Sequence, residues 1–163
     1  MMINNVVLNN YQLKQLFEEF SHKINEAGEN PQFSWFIYKN CEILSDPYAK
    51  LVQDLYDERR EPQFAEFYNK QQALIQKYAD RDEQNAIIHD QNGAPQILEN
   101  IVEFKQENAK LLEEYSELYE KIKNKDKVNL EIFNKTNTYQ LYTLELSEFP
   151  QRTPPYIVGT LGY

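Results

Sequence analysis

The chain has 163 residues, the size of one ordinary domain. Its 12 tyrosines, 9 phenylalanines and 1 tryptophan exclude wholesale disorder, because disordered chains are poor in aromatics. A net charge of -9 and an isoelectric point near 4.8 repel phosphate and argue against direct nucleic-acid binding.

The hydrophobic fraction of 41% and the mean hydropathy of -0.75 fit thin, elongated helical structure better than a compact core. The opening "MMINNVVLNN" lacks the basic region and long apolar run of a signal peptide. No window approaches the ~18 apolar residues of a membrane span, so a soluble protein made inside a cell is expected. Cys41 is the only cysteine, which rules out an internal disulfide.

Near the start, Ile3, Val6, Val7 and Leu8 fit a short strand. A first helix is predicted over 10–27, where Leu13, Leu16, Phe17, Phe20 and Ile24 share one face. Asn10 is its expected N-cap and Gly28 its expected stop. Asn30-Pro31 then reads as a cap with proline at the first helical position. The stretch "FSWFIYKNCEIL" follows, the most apolar in the chain and the expected core anchor. Ser45-Asp46-Pro47 looks like a kink or a restart. Tyr48, Leu51, Val52 and Leu55 continue the stripe, "DERREP" is a charged break, and Phe64, Phe67, Leu74, Ile75 and Tyr78 resume it.

Ile101, Phe104, Asn108, Leu111, Tyr115, Leu118 and Ile122 alternate spacings of three and four. That is a heptad seam, and it predicts one helix over 98–123. The seam is expected to pack on the stripe between Tyr48 and Tyr78, with Asn108 setting register or partner at a cost in stability. Between these helical segments lies "NAIIHDQNGAPQIL", residues 85–98. Its Asn92-Gly93 pair predicts a type I′ turn, so a β-hairpin tip is expected on a helical hairpin. Further on, Val128, Leu130 and Ile132 alternate with polar residues, as do Tyr142, Leu144 and Leu146, and both read as short strands, although the second pattern also admits a helix. No sequence repeat is evident. The tail "YIVGTLGY" carries no charge and follows Pro154-Pro155. It is expected either to add as a strand to a neighbour or to fold back over the aromatic segment at 33–38.

Catalytic groups are scarce. The histidines are His22, on the first helix, and His89, beside Asp90 at the tip, and no nucleophile is placed for either. "DRDEQNAIIHDQ" begins like a calcium loop but has Asn85 where the loop needs glycine and Gln91 where it needs a bidentate glutamate. Zinc lacks a Cys/His cluster, and the glycines, at 28, 93, 159 and 162, form no phosphate-cradling loop. No catalytic, metal or cofactor residue is therefore assigned.

The order of features, from "VVLNNYQLKQLF" and "SWFIYKNCEIL" through "LIQKYADRDEQN" and "HDQNGAPQI" to "VNLEIFNKTNTYQLYTLEL", resembles small phage-encoded helical-hairpin proteins of unknown function. The resemblance covers most of the chain as a pattern of elements, from which the sequence departs at Pro47 and Pro62 and in its longer aromatic tail. It implies a viral origin and no enzyme activity, and it transfers no functional residue. Prefoldin subunits share a helical hairpin with a β tip, but not the N-terminal helix or the C-terminal segment.

The expected fold is mainly α: a long antiparallel helical hairpin with a β-hairpin tip, an N-terminal helix and a small C-terminal β/extended segment. Residues 1–127 are expected as the helical domain, with the tip at 85–98, and residues 128–163 as the C-terminal segment, packed on the same domain or on a partner. The expected function is that of a non-enzymatic phage structural or assembly protein acting through protein contacts, with other phage proteins or itself, and without a membrane. The alternatives are an acidic host-directed inhibitor, a nucleic-acid mimic or anti-defence protein, and a prefoldin-like chaperone clamp. The expected location is the host cytoplasm, with incorporation into the virion left open. The expected contact residues are Tyr156, Ile157, Val158, Leu161 and Tyr163 in the tail and Ile88, His89, Asn92 and Gly93 at the tip.

Overall fold

The structure, a computed structural model, describes residues 1–24 and 30–163. The chain is mainly helical, with a two-stranded antiparallel sheet, and divides into two units. One comprises Met1–Tyr56 together with Lys127–Tyr163, the other Asp57–Asp126. Of the two placements expected for residues 128–163, packing within the chain is the one seen, since the sheet joins the two ends of the chain, while the residues expected as one helical domain at 1–127 are divided between the two units.

In the first unit, strand β1 (Met2–Asn9) pairs antiparallel with β2 (Thr136–Thr143), Met2 opposite Thr143 and Asn9 opposite Thr136. Helix α1 (Asn10–Lys23) starts directly after β1. Its cap is Asn9, not Asn10: Asn9 keeps extended dihedrals and accepts from the Gln12 N–H, while the Gln12 side chain accepts from the Asn9 N–H. Asn10 is already helical and donates instead to the Ile132 carbonyl at 2.8 Å. Ile24 is the C-cap of α1. The predicted continuation to 27 and the stop at Gly28 lie outside the described residues.

Helix α2 (Pro31–Asp54) has the expected Asn30 cap and Pro31 at its first turn. It runs through Pro47 without restarting. Proline removes one rung of the helical ladder, but Leu44 and Leu51, both buried, hold the turns before and after it against the core. The core of this unit gathers Leu8, Leu13, Leu16, Phe20, Phe36, Ile37, Leu44, Leu51, Leu141, Leu144, Ile157 and Leu161. Phe20 and Phe36 meet edge to face at 6.0 Å with no exposure, and full burial of a phenylalanine contributes about 1.5–3 kcal/mol.

In the second unit, a 3-10 turn at Glu58–Arg60 occupies the charged break, followed by α3 (Phe64–Tyr78) and α4 (Ile101–Glu114). The helix predicted over 98–123 is interrupted at Tyr115, whose dihedrals (φ -110, ψ 32) leave the helical range. Helix α5 then spans Ser116–Phe133, across the residues 128–133 expected as a strand. Val128 and Leu130 are 43% and 58% exposed, so their alternation marks no buried strand face. Of the second alternating trio, only Tyr142 lies within β2. Leu144 forms a bridge to Gly162, and Leu146 opens a 3-10 turn at Leu146–Glu148.

Phe67 of α3 packs with Leu111, Tyr115 and Leu118, and every residue of the predicted seam is buried or half-buried. The expected partner stripe is only partly used. Tyr48 belongs to the first unit, where it stacks on Phe17 at 4.3 Å. In the second unit, Lys77–Glu107 (2.9 Å), Lys70–Glu114 (2.7 Å), Lys121–Glu61 (3.0 Å) and Lys125–Glu58 (2.7 Å) pair residues in opposite chain directions. The first three are exposed, and pairs of that kind contribute about 0.2–1 kcal/mol each, while Lys125–Glu58 is part-buried. The carboxylate of Glu114, with Tyr115 and Glu66, raises the Lys70 ammonium above the ordinary lysine value.

Candidate functional site: the free sheet edge

Of the two placements expected for the tail, the structure shows the second, in which it folds back within the chain. Pro154-Pro155 begin a helix, α6 (Pro155–Leu161), because proline suits the first helical turn. Ile157 and Leu161 are four residues apart, on one helix face, and both are fully buried in the core. The Leu144 N–H donates to the Leu161 carbonyl, and the Tyr163 N–H donates to the Leu144 carbonyl, both at 3.0 Å. Ile157 and Leu161 are therefore unavailable at the surface. Val158 is half-buried, and Tyr156 and Tyr163 keep 38% and 42% exposure.

The tip is not a type I′ hairpin. Gly93 has φ +80, but Asn92 has no positive φ. The Asp90 carboxylate explains this. It accepts the N–H groups of Asn92 (2.8 Å) and Ala94 (3.0 Å), while the Gly93 N–H donates to the Asp90 carbonyl, so the loop is three residues wide with glycine left-handed. The same arrangement occurs eight residues earlier. Asp82 accepts from Gln84 and Ala86, and Asn85 takes the left-handed position at φ 65. "DEQNAIIH" and "DQNGAPQI" are therefore a structural repeat that the sequence reading missed, because only Asp, Ala and the left-handed position recur.

The repeat closes into a ring. Asp80 N–H donates to Gln96 O (2.8 Å), Gln96 N–H to Ile88 O (2.8 Å) and Ile88 N–H to Asp80 O (2.9 Å). The buried Asp80 carboxylate accepts from the N–H groups of Leu98 and Glu99 and from the Gln96 side chain. Of the expected tip residues, Ile88, His89, Asn92 and Gly93 are all exposed, and the His89 backbone bridges Pro95. Among the described residues no group of three histidine, cysteine or acidic side chains is placed to hold a metal ion. Cys41 Sγ lies 3.5 Å from Ser21 Oγ.

The sheet presents a different kind of site. The Asn10 N–H donates to the Lys135 carbonyl at 3.0 Å, which sets the phase of the ladder. Antiparallel pairs alternate between bonded and non-bonded. Residues 2, 4, 6 and 8 of β1 thus turn their backbone groups to β2, and 3, 5, 7 and 9 turn theirs outward. By the same phase, Tyr142 of β2 turns its groups away from β1, and Asn40 of α2 covers them. Asn40 Oδ1 accepts the Tyr142 N–H at 2.8 Å, and its Nδ2 donates to the Tyr142 carbonyl at 3.0 Å. Beyond this point, α2 and β2 enclose a groove of about 850 Å³, with Asp46, Pro47 and Lys50 on one side and Thr136 to Tyr139 on the other.

On the outer edge of β1, the Asn9 N–H is taken by the Gln12 side chain. Ile3, Asn5 and Val7 are left, all exposed, with Ile3 at 57% and Val7 at 64%. No side chain from residue 1 to 13 is charged. Natural edge strands are usually blunted by lysine, proline, a bulge or a covering element, and β1 carries neither charge nor proline. The sequence reading placed the strand but missed both this edge and Asn40. The signals were the uncharged run and a lone amide between Phe36 and Leu44 at helical spacing.

No family model matches the chain, and neither a curated protein nor a solved structure matches it. No helix among the described residues is long and apolar enough to cross a membrane.

Proposed function

We propose that this chain is a non-enzymatic structural or assembly protein that acts through protein–protein contacts. The carrying observation is the uncharged outer edge of β1, with Ile3 and Val7 exposed beside unpaired backbone groups. Such an edge is a template for another strand. The setting we propose is phage assembly, on the element-pattern resemblance alone. In this reading the unit at Asp57–Asp126 is itself a helical hairpin that carries the exposed ring at 80–98, a second surface for contacts. The antiparallel ion pairs and the Leu111–Tyr115–Leu118 cluster support that arrangement.

The test is mass spectrometry of particles purified from a producing culture. A fixed stoichiometry in the particle supports the reading. Absence from particles, with salt-sensitive capture of a nucleic-acid enzyme, would overturn it in favour of the acidic inhibitor.

A further inference from the structure

Resting on that reading of the β1 edge, we infer that its occupant is a second copy of the same chain, paired antiparallel with Asn5 on the twofold axis. The argument is one of phase. The groups that face outward belong to odd residues. An antiparallel pair of identical strands centred on Asn5 places residue 3 opposite residue 7 of the second copy, and 5 opposite 5. All three outward residues then fall in hydrogen-bonded positions, each pair exchanging two bonds.

The side chains agree with this register. Ile3 meets Val7 of the partner subunit, an apolar β-branched pair that stabilises antiparallel strands. Asn5 meets the partner subunit's Asn5, which brings no charge together. Each copy carries a net charge of -9, and residues 1–13 carry none of it, so the copies meet where their mutual repulsion is least. The same register is isologous, since each strand gives and receives the same contacts. The two sheets would then join into one of four strands, and each β1 would cease to be an edge.

The test uses the full chain. Light scattering over a wide concentration series should give a dimer mass. Asn5→Lys places like charges directly opposite and should raise the dimer dissociation constant roughly tenfold or more. Asn5 is exposed and its outward groups are not used by β2, so at concentrations low enough for the parent to be monomeric the tryptophan-monitored unfolding of the variant should match the parent and separate lost pairing from lost folding.

Register is read by cross-linking in a Cys41→Ser background. Bonded antiparallel pairs lie about 5.5 Å apart at Cα, within disulfide reach. Asn5→Cys should therefore cross-link with itself. Ile3→Cys should not, because residue 3 of one copy lies roughly 14 Å from residue 3 of the other at about 3.4 Å per residue. Ile3→Cys mixed with Val7→Cys should cross-link. A monomeric mass throughout, a dimer indifferent to Asn5→Lys, or Ile3→Cys cross-linking alone as readily as Asn5→Cys would overturn the inference. A monomer still found in particles would refute self-pairing and leave the assembly reading standing. A β1 dimer absent from particles would do the reverse.

Discussion

Asn40 gives a sharp test of what holds helix to sheet. Its side chain has no exposure, and it satisfies both backbone groups of Tyr142 at 2.8 and 3.0 Å. The orientation of the amide is forced, since the Tyr142 N–H only donates and its carbonyl only accepts. Asn40→Ala leaves both groups unpaired. Each unsatisfied buried group costs about 1–3 kcal/mol, so the loss should be about 2–6 kcal/mol.

Asn40→Asp is more discriminating, because its shape is kept. The protonated acid can still accept from the N–H and donate to the carbonyl, whereas the ionised acid turns a charged oxygen toward the Tyr142 carbonyl. The folded-state pKa of the new carboxyl should therefore lie above its unfolded value of about 3.9. A raised acid pKa means stability that is present below the unfolded pKa and lost as pH rises toward the folded one. The deficit relative to the parent should grow by about 1.4 kcal/mol per pH unit across that interval.

The assay is urea unfolding read by Trp35, the only tryptophan, whose indole lies 5.0 Å from the Tyr142 ring. A deficit that stays flat from about pH 4.5 to 7.5, where a raised carboxyl must titrate, would refute the reasoning. So would an Asn40→Ala loss below about 1 kcal/mol.

Three further outcomes follow from the second unit. Leu111, buried with Phe67, Tyr115 and Leu118, should cost about 2–5 kcal/mol as Leu111→Ala, read by hydrogen exchange of the α3 and α4 amides. Asn108 Oδ1 is buried without a hydrogen-bond partner, so Asn108→Leu should slow that exchange and raise local stability by about 1–3 kcal/mol. The side-chain hydrogen bonds from Arg59, at 2.9 and 2.8 Å, with the Arg59 N–H, hold the Asp57 carboxyl at about 2. Because this pKa is depressed, the pairing is present above the ordinary carboxylate value and lost as pH falls through about 2. Arg59→Ala should return the titration to the ordinary range, followed by carboxyl carbon-13 shifts.

Local signals were legible where one residue acts through its own backbone. Asn30-Pro31 opened α2, the three-and-four spacing of Leu13, Leu16 and Phe20 gave the buried face of α1, and Ile3 to Leu8 gave β1. The seam from Ile101 to Ile122 likewise showed which residues turn inward. What the chain does at a distance was not written locally. Strand alternation at Val128 and Leu130 failed because period-two spacing reports burial only if both faces differ, and here both residues stay exposed on a helix.

The tail at Tyr156 to Tyr163 is uncharged, which left both a neighbour and the chain's own core open as its partner. It is uncharged because Ile157 and Leu161 close the core from the opposite end of the chain. The free edge of β1 is decided the same way. Its residues alone specify a strand, but which backbone groups face outward depends on the phase of a partner more than a hundred residues away, fixed by Asn10 donating to Lys135. Sequence alone determined β1, the start of α2 and the apolar faces of α1 and the seam, which depend on neighbours within a turn or a pleat. Tertiary structure decided which of those faces and edges found partners, because long-range pairing depends on what every other segment leaves uncovered.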